Sequence, residues 1–206
     1  MAQENPNARL EAFCDGVFAI AITLLIIDIR IPSFEKINST PELLHALNQI
    51  IPGILIFLLS FIVIFITWVN HHAAMKLVHG TSAHFVYANG VLLLSVVFIP
   101  FPTSLVGDFI LTDHAGPAVS LYCGVMGLQA VSWMLMTRAA LNPSEPLITN
   151  EKSRHTARTN LKRTYFAIVL YFICAIIAFW LPLAIAILVA ITWIVWLING
   201  VGIKER

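Results

Sequence analysis

The side chains able to do chemistry gather in two short stretches. One is RLEAFCDG, residues 9–16, in which Arg9, Glu11 and Asp15 stand just before and within the first turns of an apolar run. The other is TWVNHHAAMKLVH, residues 67–79, which carries Trp68, Asn70, His71, His72 and His79, with His84 close behind. An acid and several imidazoles in an apolar chain suit proton transfer, and several histidines suit a metal. No HExxH pattern or cysteine partner accompanies the histidines, and the neighbours His71 and His72 must point in different directions, so no metal site is expected. Nucleophilic catalysis fares no better, because Ser60, Ser95 and Ser132 lack a His or Lys nearby on the same helix. Cys14, Cys123 and Cys174 fall inside apolar runs without metal spacing and read as free packing thiols. The chain is therefore not expected to be an enzyme or to carry a cofactor.

The elements that must position these residues are membrane helices. The 206-residue chain is 59% hydrophobic and only 11% charged, with a mean hydropathy of +0.86, where a soluble domain carries about 25% charged residues. Runs long enough to cross a bilayer, roughly 20 residues each, recur at 12–31, 43–68, 84–106, 116–137, 161–180 and 182–203. The expected fold is an all-α integral membrane protein, a single six-helix domain over residues 1–206. Acids flank the first run, Asp15 lies within it, and it continues past any Ala-x-Ala site, so it is expected to stay in the mature protein.

Lys and Arg accumulate on the cytoplasmic side of a membrane. With six spans, Arg9, Lys76, the connection 138–163 with Arg138, Lys152, Arg154, Arg158, Lys162 and Arg163, and the tail residues Lys204 and Arg206 share one side. Only Arg30 and Lys36 fall on the other. A multi-pass protein of the cell (inner) membrane with both termini cytoplasmic is expected. The net charge of +1 gives no reason to expect nucleic acid. The basic 138–163 connection reads either as a topology determinant or as a contact for anionic lipid. It also separates four helices from a final pair that AFWLPLA joins tightly, with Pro182 suited to a helix's first turn, and that pair is expected to pack on the outside. Trp68, Tyr165, Trp180 and Trp196 partly fit an interfacial belt, while Trp193 lies deep enough to pack. No internal repeat supports an inverted-repeat transporter. In so small a bundle a hydrophilic path forms more easily between subunits than inside one.

At 100° per residue, Phe13, Gly16, Ile20, Leu24, Ile27 and Ile31 share one apolar stripe of the first helix. Such a stripe suits lipid contact or core packing, and it also suits a hydrophobic constriction that gates by dewetting. Thr23 stands about 60° away, near enough to present a hydroxyl beside the stripe, although a lone Thr commonly bonds its own helix. Asp15 is about 140° from Ile20, and Arg9 about 120° out of phase with Asp15. These charges therefore need partners on other helices. Trp68, Asn70, His71 and His72 fall at the same depth, near the cytoplasmic end of the second helix. A hydrogen-bonded knot is expected there, holding helix one against helices two and three. Pro100-Phe101-Pro102 either kinks the third span or ends it.

The stretch RLEAFCDGVFAIAITLL resembles the Arg-x-x-x-Phe-Ser-Asp signature on the first helix of the transmembrane protein 175 potassium channels, in their bacterial single-repeat form. Arg9, Phe13 and Asp15 match, and Cys14 stands where the family has Ser, a stronger hydrogen-bonding group. The likeness continues through WVNHH, YANGVLLLSVVFIPFPTSL and the six-helix layout. It implies a homotetramer in the lipid bilayer whose first helices line a central pore without a re-entrant loop, with K+ as the permeant ion. Ile20 would be the principal constriction, with Leu24 and Ile27 one and two turns further along, and Thr23 the hydroxyl layer used in cation selection. Arg9, Phe13, Cys14, Asp15, Trp68, Asn70, His71, His72 and Asn89 would form the supporting network. The chain has no Thr-Val-Gly-Tyr-Gly filter, so a modest preference for potassium over sodium and other monovalent cations is expected. The leading expectation is a passive potassium-preferring channel. The alternative is a proton-coupled secondary transporter using Asp15 and the helix-two histidines.

Overall fold

The computed structural model describes residues 6–29 and 37–201, and the regular elements among them are all helical. α1 (Ala8–Leu24) passes into a 3₁₀ turn (Leu25–Asp28). α2 (Thr40–Met75), α3 (Ala83–Phe98), α4 (Pro100–Phe109), α5 (Ala115–Ala140), α6 (Glu151–Ile177) and α7 (Pro182–Val201) follow. Among the described residues, five segments are long and apolar enough to cross a membrane: α1 with its turn, α2, α3 with α4, α5 and α6. In α7 the residues whose side chains are described, Pro182–Ile194, form an apolar stretch. Arg30, Ile31, Lys36, Lys204 and Arg206, on which the stripe's last position and part of the charge partition rest, lie outside the described residues, as does the side chain of Trp196.

Several helices overrun their hydropathy limits, because hydropathy marks where lipid suits the side chains whereas a helix ends where its backbone finds other partners. α1 begins at Ala8 rather than at residue 12, so Arg9 lies inside its first turn, where Glu11 also meets the positive end of the helix dipole. α2 runs on through Asn70, His71 and His72 to Met75. The connection expected over 138–163 shrinks to residues 141–150, and its six basic residues ride on α5 and α6 instead. Asn150 caps α6, its Oδ1 accepting the Lys152 backbone N–H at 2.8 Å. The polar first turns of α6 stay helical by burying Ala157, with Ile148 before it, in a small apolar cluster with Met75, Phe85 and Met136. Two further bonds tie this connection down, from the His79 N–H to the Leu147 carbonyl and from Arg154 Nε to the Ile148 carbonyl, each 2.9 Å. The Pro-Phe-Pro stretch interrupts the third span at Ile99 without ending it. Pro100 takes the first position of α4, where its missing N–H costs nothing.

α5 is the central post, packed against α3, α4, α6 and α7, while α1 lies on α2 and α3. The main core joins Phe18, Ala21 and Leu25 of the first segment to Val63 and Ile64 of α2, Val96 of α3, and Cys123 and Met126 of α5. The three cysteines are free and buried. At the far end of α5 the turn between α6 and α7 crosses so closely that a Cβ on Gly116 would lie 3.2 Å from the Phe179 Cα and carbonyl oxygen. These are backbone atoms that cannot swing aside. Gly116→Val should therefore lower stability by about 1–3 kcal/mol, read as an earlier thermal transition in detergent, whereas Gly124→Ala, whose added methyl meets open space, should leave the transition unchanged or raise it.

Candidate functional site

Helix α1 has two unlike faces. Cys14, Phe18, Ala21 and, in the following turn, Leu25 are fully buried against the chain's own core. Phe13, Ile20, Leu24 and Ile27 are exposed, at 63%, 58%, 39% and 71%, and a Cβ on Gly16 would touch nothing. The described part of the apolar stripe is thus bare along its length. The 3₁₀ turn changes the wheel beyond Leu24: residues three apart eclipse there, which keeps Ile27 nearly in line with Leu24. Thr23 is exposed beside the stripe, and its Oγ1 donates to the Ile20 carbonyl at 2.9 Å. The hydroxyl proton is thereby committed to the helix, and the oxygen lone pairs are left facing outward.

Behind this face the buried side of α1 is held by polar contacts. Trp68 Nε1 donates to Asp15 Oδ1 at 2.8 Å. Asn89 on α3 sits between the other two helices: its Oδ1 accepts from His71 Nε2 at 2.8 Å, and its Nδ2 donates to Cys14 Sγ at 3.0 Å. This arrangement requires the His71 tautomer that carries its proton on Nε2. The Phe18 ring packs on the His71 ring with centroids 5.4 Å apart, and His72 stacks on Trp68 at 6.3 Å. Cys14, Asp15, Trp68, His71 and Asn89 therefore join α1, α2 and α3 at one level. The remaining expected members stand aside: Arg9 and Phe13 are exposed, and Asn70 is half-buried outside these bonds. Phe13 instead lines an open groove of about 480 Å³ between α1 and α3 with Leu10, Tyr87, Gly90 and Leu94.

Two further buried polar clusters link α2 to α4 and α5. Gln129 Nε2 on α5 donates to Thr67 Oγ1 at 3.0 Å, and Thr67 in turn donates to the Val63 carbonyl at 2.8 Å. Ser60, Thr103 and Tyr122 meet deeper in the bundle, at 2.8 Å between Ser60 and Thr103 and 3.4 Å between Ser60 and Tyr122. Thr103 donates to the Ile99 carbonyl, so Ser60 must donate to Thr103 and accept from Tyr122. Ser60 is thus a link between helices rather than a nucleophile beside a base. A signal was present, since Ser60, Thr67 and His71 recur at spacings of seven and four on one face of α2; their partners on α4 and α5 were not readable from it.

Asn89 carries two of the interhelical bonds, and its loss leaves the buried His71 N–H without an acceptor. Asn89→Ala should destabilise the chain by about 1–3 kcal/mol, measured as a lower thermal midpoint in detergent. Cys14→Ser gives the Asn89 amide a hydroxyl oxygen in place of a weak sulfur acceptor and should not lower that midpoint.

The chain resembles known proteins in sequence and in fold. Residues 9–100 match the family described as endosomal/lysosomal potassium channel TMEM175. A potassium channel of Chamaesiphon minutus is 36% identical over 192 residues, covering 92% of this chain and 94% of that protein. A potassium channel of Streptomyces collinus is 38% identical over 139 residues, covering 65% of this chain and 66% of its own length. The crystal structure of a lysosomal potassium-selective channel TMEM175 homolog from Chamaesiphon minutus superposes with a TM-score of 0.78 at 34% identity, covering 92% of this chain and 96% of that one.

Proposed function

The chain belongs to the TMEM175 family of potassium channels, a family of ion channels rather than enzymes, and we propose that it is a passive, potassium-preferring cation channel. It acts as a homotetramer in the cell (inner) membrane, each subunit a single six-helix domain over residues 1–206 in which α7 makes the sixth crossing. Both termini are cytoplasmic, in line with the basic residues carried by the ends of α5 and α6. The observation that carries this reading is the bare apolar face of α1, which is aligned from Phe13 to Ile27 while Cys14, Phe18, Ala21 and Leu25 on the other side of the same segment are fully buried.

Four copies of that face around an axis make rings of Ile20, Leu24 and Ile27. A ring of aliphatic side chains excludes water when narrow and conducts when slightly wider, so a small displacement of α1 is enough to gate. Ile20 is the main constriction. Thr23, one step around the helix, contributes a hydroxyl oxygen whose proton already bonds the Ile20 carbonyl, and that oxygen replaces part of the shell that a cation sheds on entry. One layer of such oxygens suits modest selection of K+ over Na+ and other monovalent cations. No protein cofactor takes part; K+ is the permeant ion.

Cys14, Asp15, Trp68, His71 and Asn89 fasten the pore helix to α2 and α3. The proton-coupled alternative would need a relay from Asp15 to the histidines of α2. Among the described residues Asp15 is bonded to Trp68 while His71 is bonded to Asn89, and no hydrogen bond joins the acid to an imidazole.

The reading is tested by ion flux in liposomes holding the purified chain. Potassium-driven flux should exceed sodium-driven flux and dissipate a gradient without obligatory proton exchange. Flux that saturates and carries protons stoichiometrically would replace the channel with a carrier. Ile20→Asn should hydrate the constriction and raise flux several-fold, and unchanged flux in that variant would remove Ile20 from the pore. Asp15→Ala should reduce the yield of assembled protein more than it alters ion preference; a well-assembled variant with changed selectivity alone would contradict the fastening role.

A further inference from the structure

Helix α6 is the least enclosed of the five candidate spans. One of its faces changes chemistry once along its length. Arg158, Lys162, Tyr165, Val169, Phe172 and Ile176 recur at spacings of four and three, within roughly 80° of arc, and all six are exposed. Two cations come first, then a phenol, then apolar side chains.

Helix α5 runs alongside this face. Arg138, in its last turn, places its guanidinium carbon 5.5 Å from the centroid of the Tyr165 ring. Deeper in, a Cβ on Gly127 would lie 3.7 Å from the Phe172 ring. The face therefore follows the α5–α6 seam at two levels, with Leu135 and Leu128 of α5 also exposed. Among the described residues no carboxylate pairs with Arg138, Arg158 or Lys162, whereas Arg154 nearby is paired with Glu151 at 3.6 Å. Unneutralised cations at the head of an apolar track make an amphipathic surface that matches one class of molecule.

We propose that the α5–α6 seam binds an anionic glycerophospholipid of the cytoplasmic leaflet, with its headgroup phosphate among Arg138, Arg158, Lys162 and the Tyr165 hydroxyl and an acyl chain along Val169, Phe172 and Ile176. A soluble phosphate would use only the upper half of this surface. The inference rests on the membrane setting and orientation and not on the ion pathway. Because α6 packs chiefly on α5, a lipid here competes with none of the contacts that α1 makes with α2 and α3.

Native mass spectrometry of the full chain, titrated with dioleoylphosphatidylglycerol or dioleoylphosphatidylcholine, reads the binding without any flux measurement. Phosphatidylglycerol should bind roughly tenfold more tightly than phosphatidylcholine. The Arg158→Gln/Lys162→Gln variant, with unchanged circular dichroism, should lose that preference. Arg158→Lys should keep it, and so should Lys152→Gln, which removes a cation about 120° off the stripe. Equal binding of the two lipids by the unaltered chain would overturn the proposal, as would an equal loss in Lys152→Gln, which would mean general surface charge. Displacement of phosphatidylglycerol by inorganic phosphate would also overturn it, in favour of a soluble anion. Potassium flux that persists after any of these failures leaves the channel reading intact.

Discussion

Lipid offers no hydrogen bonds, and that constraint governs how this bundle is put together. Nearly all the buried polar side chains described in the apolar spans find a partner on another helix or on their own backbone, the Trp193 indole N–H being an exception. Asn89 is the clearest case. With one amide it accepts from His71 and donates to Cys14, so the relative height of α1, α2 and α3 is set by a side chain that can satisfy both neighbours at only one register. The Thr67–Gln129 and Ser60–Thr103–Tyr122 contacts repeat the device between α2 and the α4–α5 side. Dispersion packing of Phe18, Val63 and Met126 fills the space between, but apolar contacts tolerate sliding in a way that these bonds do not.

The same constraint explains why α1 is divided so sharply. Its inner face is committed to Cys14, Phe18 and Ala21, all fully buried, and Asp15 is held at the edge by the Trp68 indole. An exposed hydrogen bond of this kind contributes about 0.5–1.5 kcal/mol. Once that side is anchored, the Phe13 to Ile27 side is presented outward as a continuous apolar surface. The pore-lining role proposed for α1 asks for a helix that is both rigidly oriented and free of polar groups along its exposed stripe. Opposite faces of one helix suit those two requirements, and in that proposed role Asp15, bonded to Trp68, serves orientation rather than the ion.

Much of this was legible in the sequence because it depends on local periodicity. The stripe through Ile20, Leu24 and Ile27 follows from 3.6 residues per turn, and all three side chains are exposed together. The need of Asp15 for a partner on another helix followed from its angle to Ile20 and Arg9. The helix limits were less legible. Hydropathy cannot see that Asn150 caps α6 or that Ala157 finds an apolar cluster with Met75 and Phe85 outside the long apolar stretch, so it draws the 138–163 connection longer than it is. Depth likewise groups Arg9, Asn70 and His72 with the knot without saying which way a side chain leaves its helix: His72 reaches it by stacking on Trp68, whereas Arg9 and Asn70 take no part in its hydrogen bonds.

The sequence by itself determined that this is a helical membrane protein, which residues share a face of its first helix, and which polar groups needed partners, because composition and helical period act over a few neighbouring residues. Only the tertiary structure decided that Asn89 serves both His71 and Cys14, that Gln129 meets Thr67, and that Arg138 of one helix crowns the stripe of another beside Tyr165. Those pairings join residues far apart in the chain, and they are selected by the rotation and height at which whole helices pack, which no local pattern encodes.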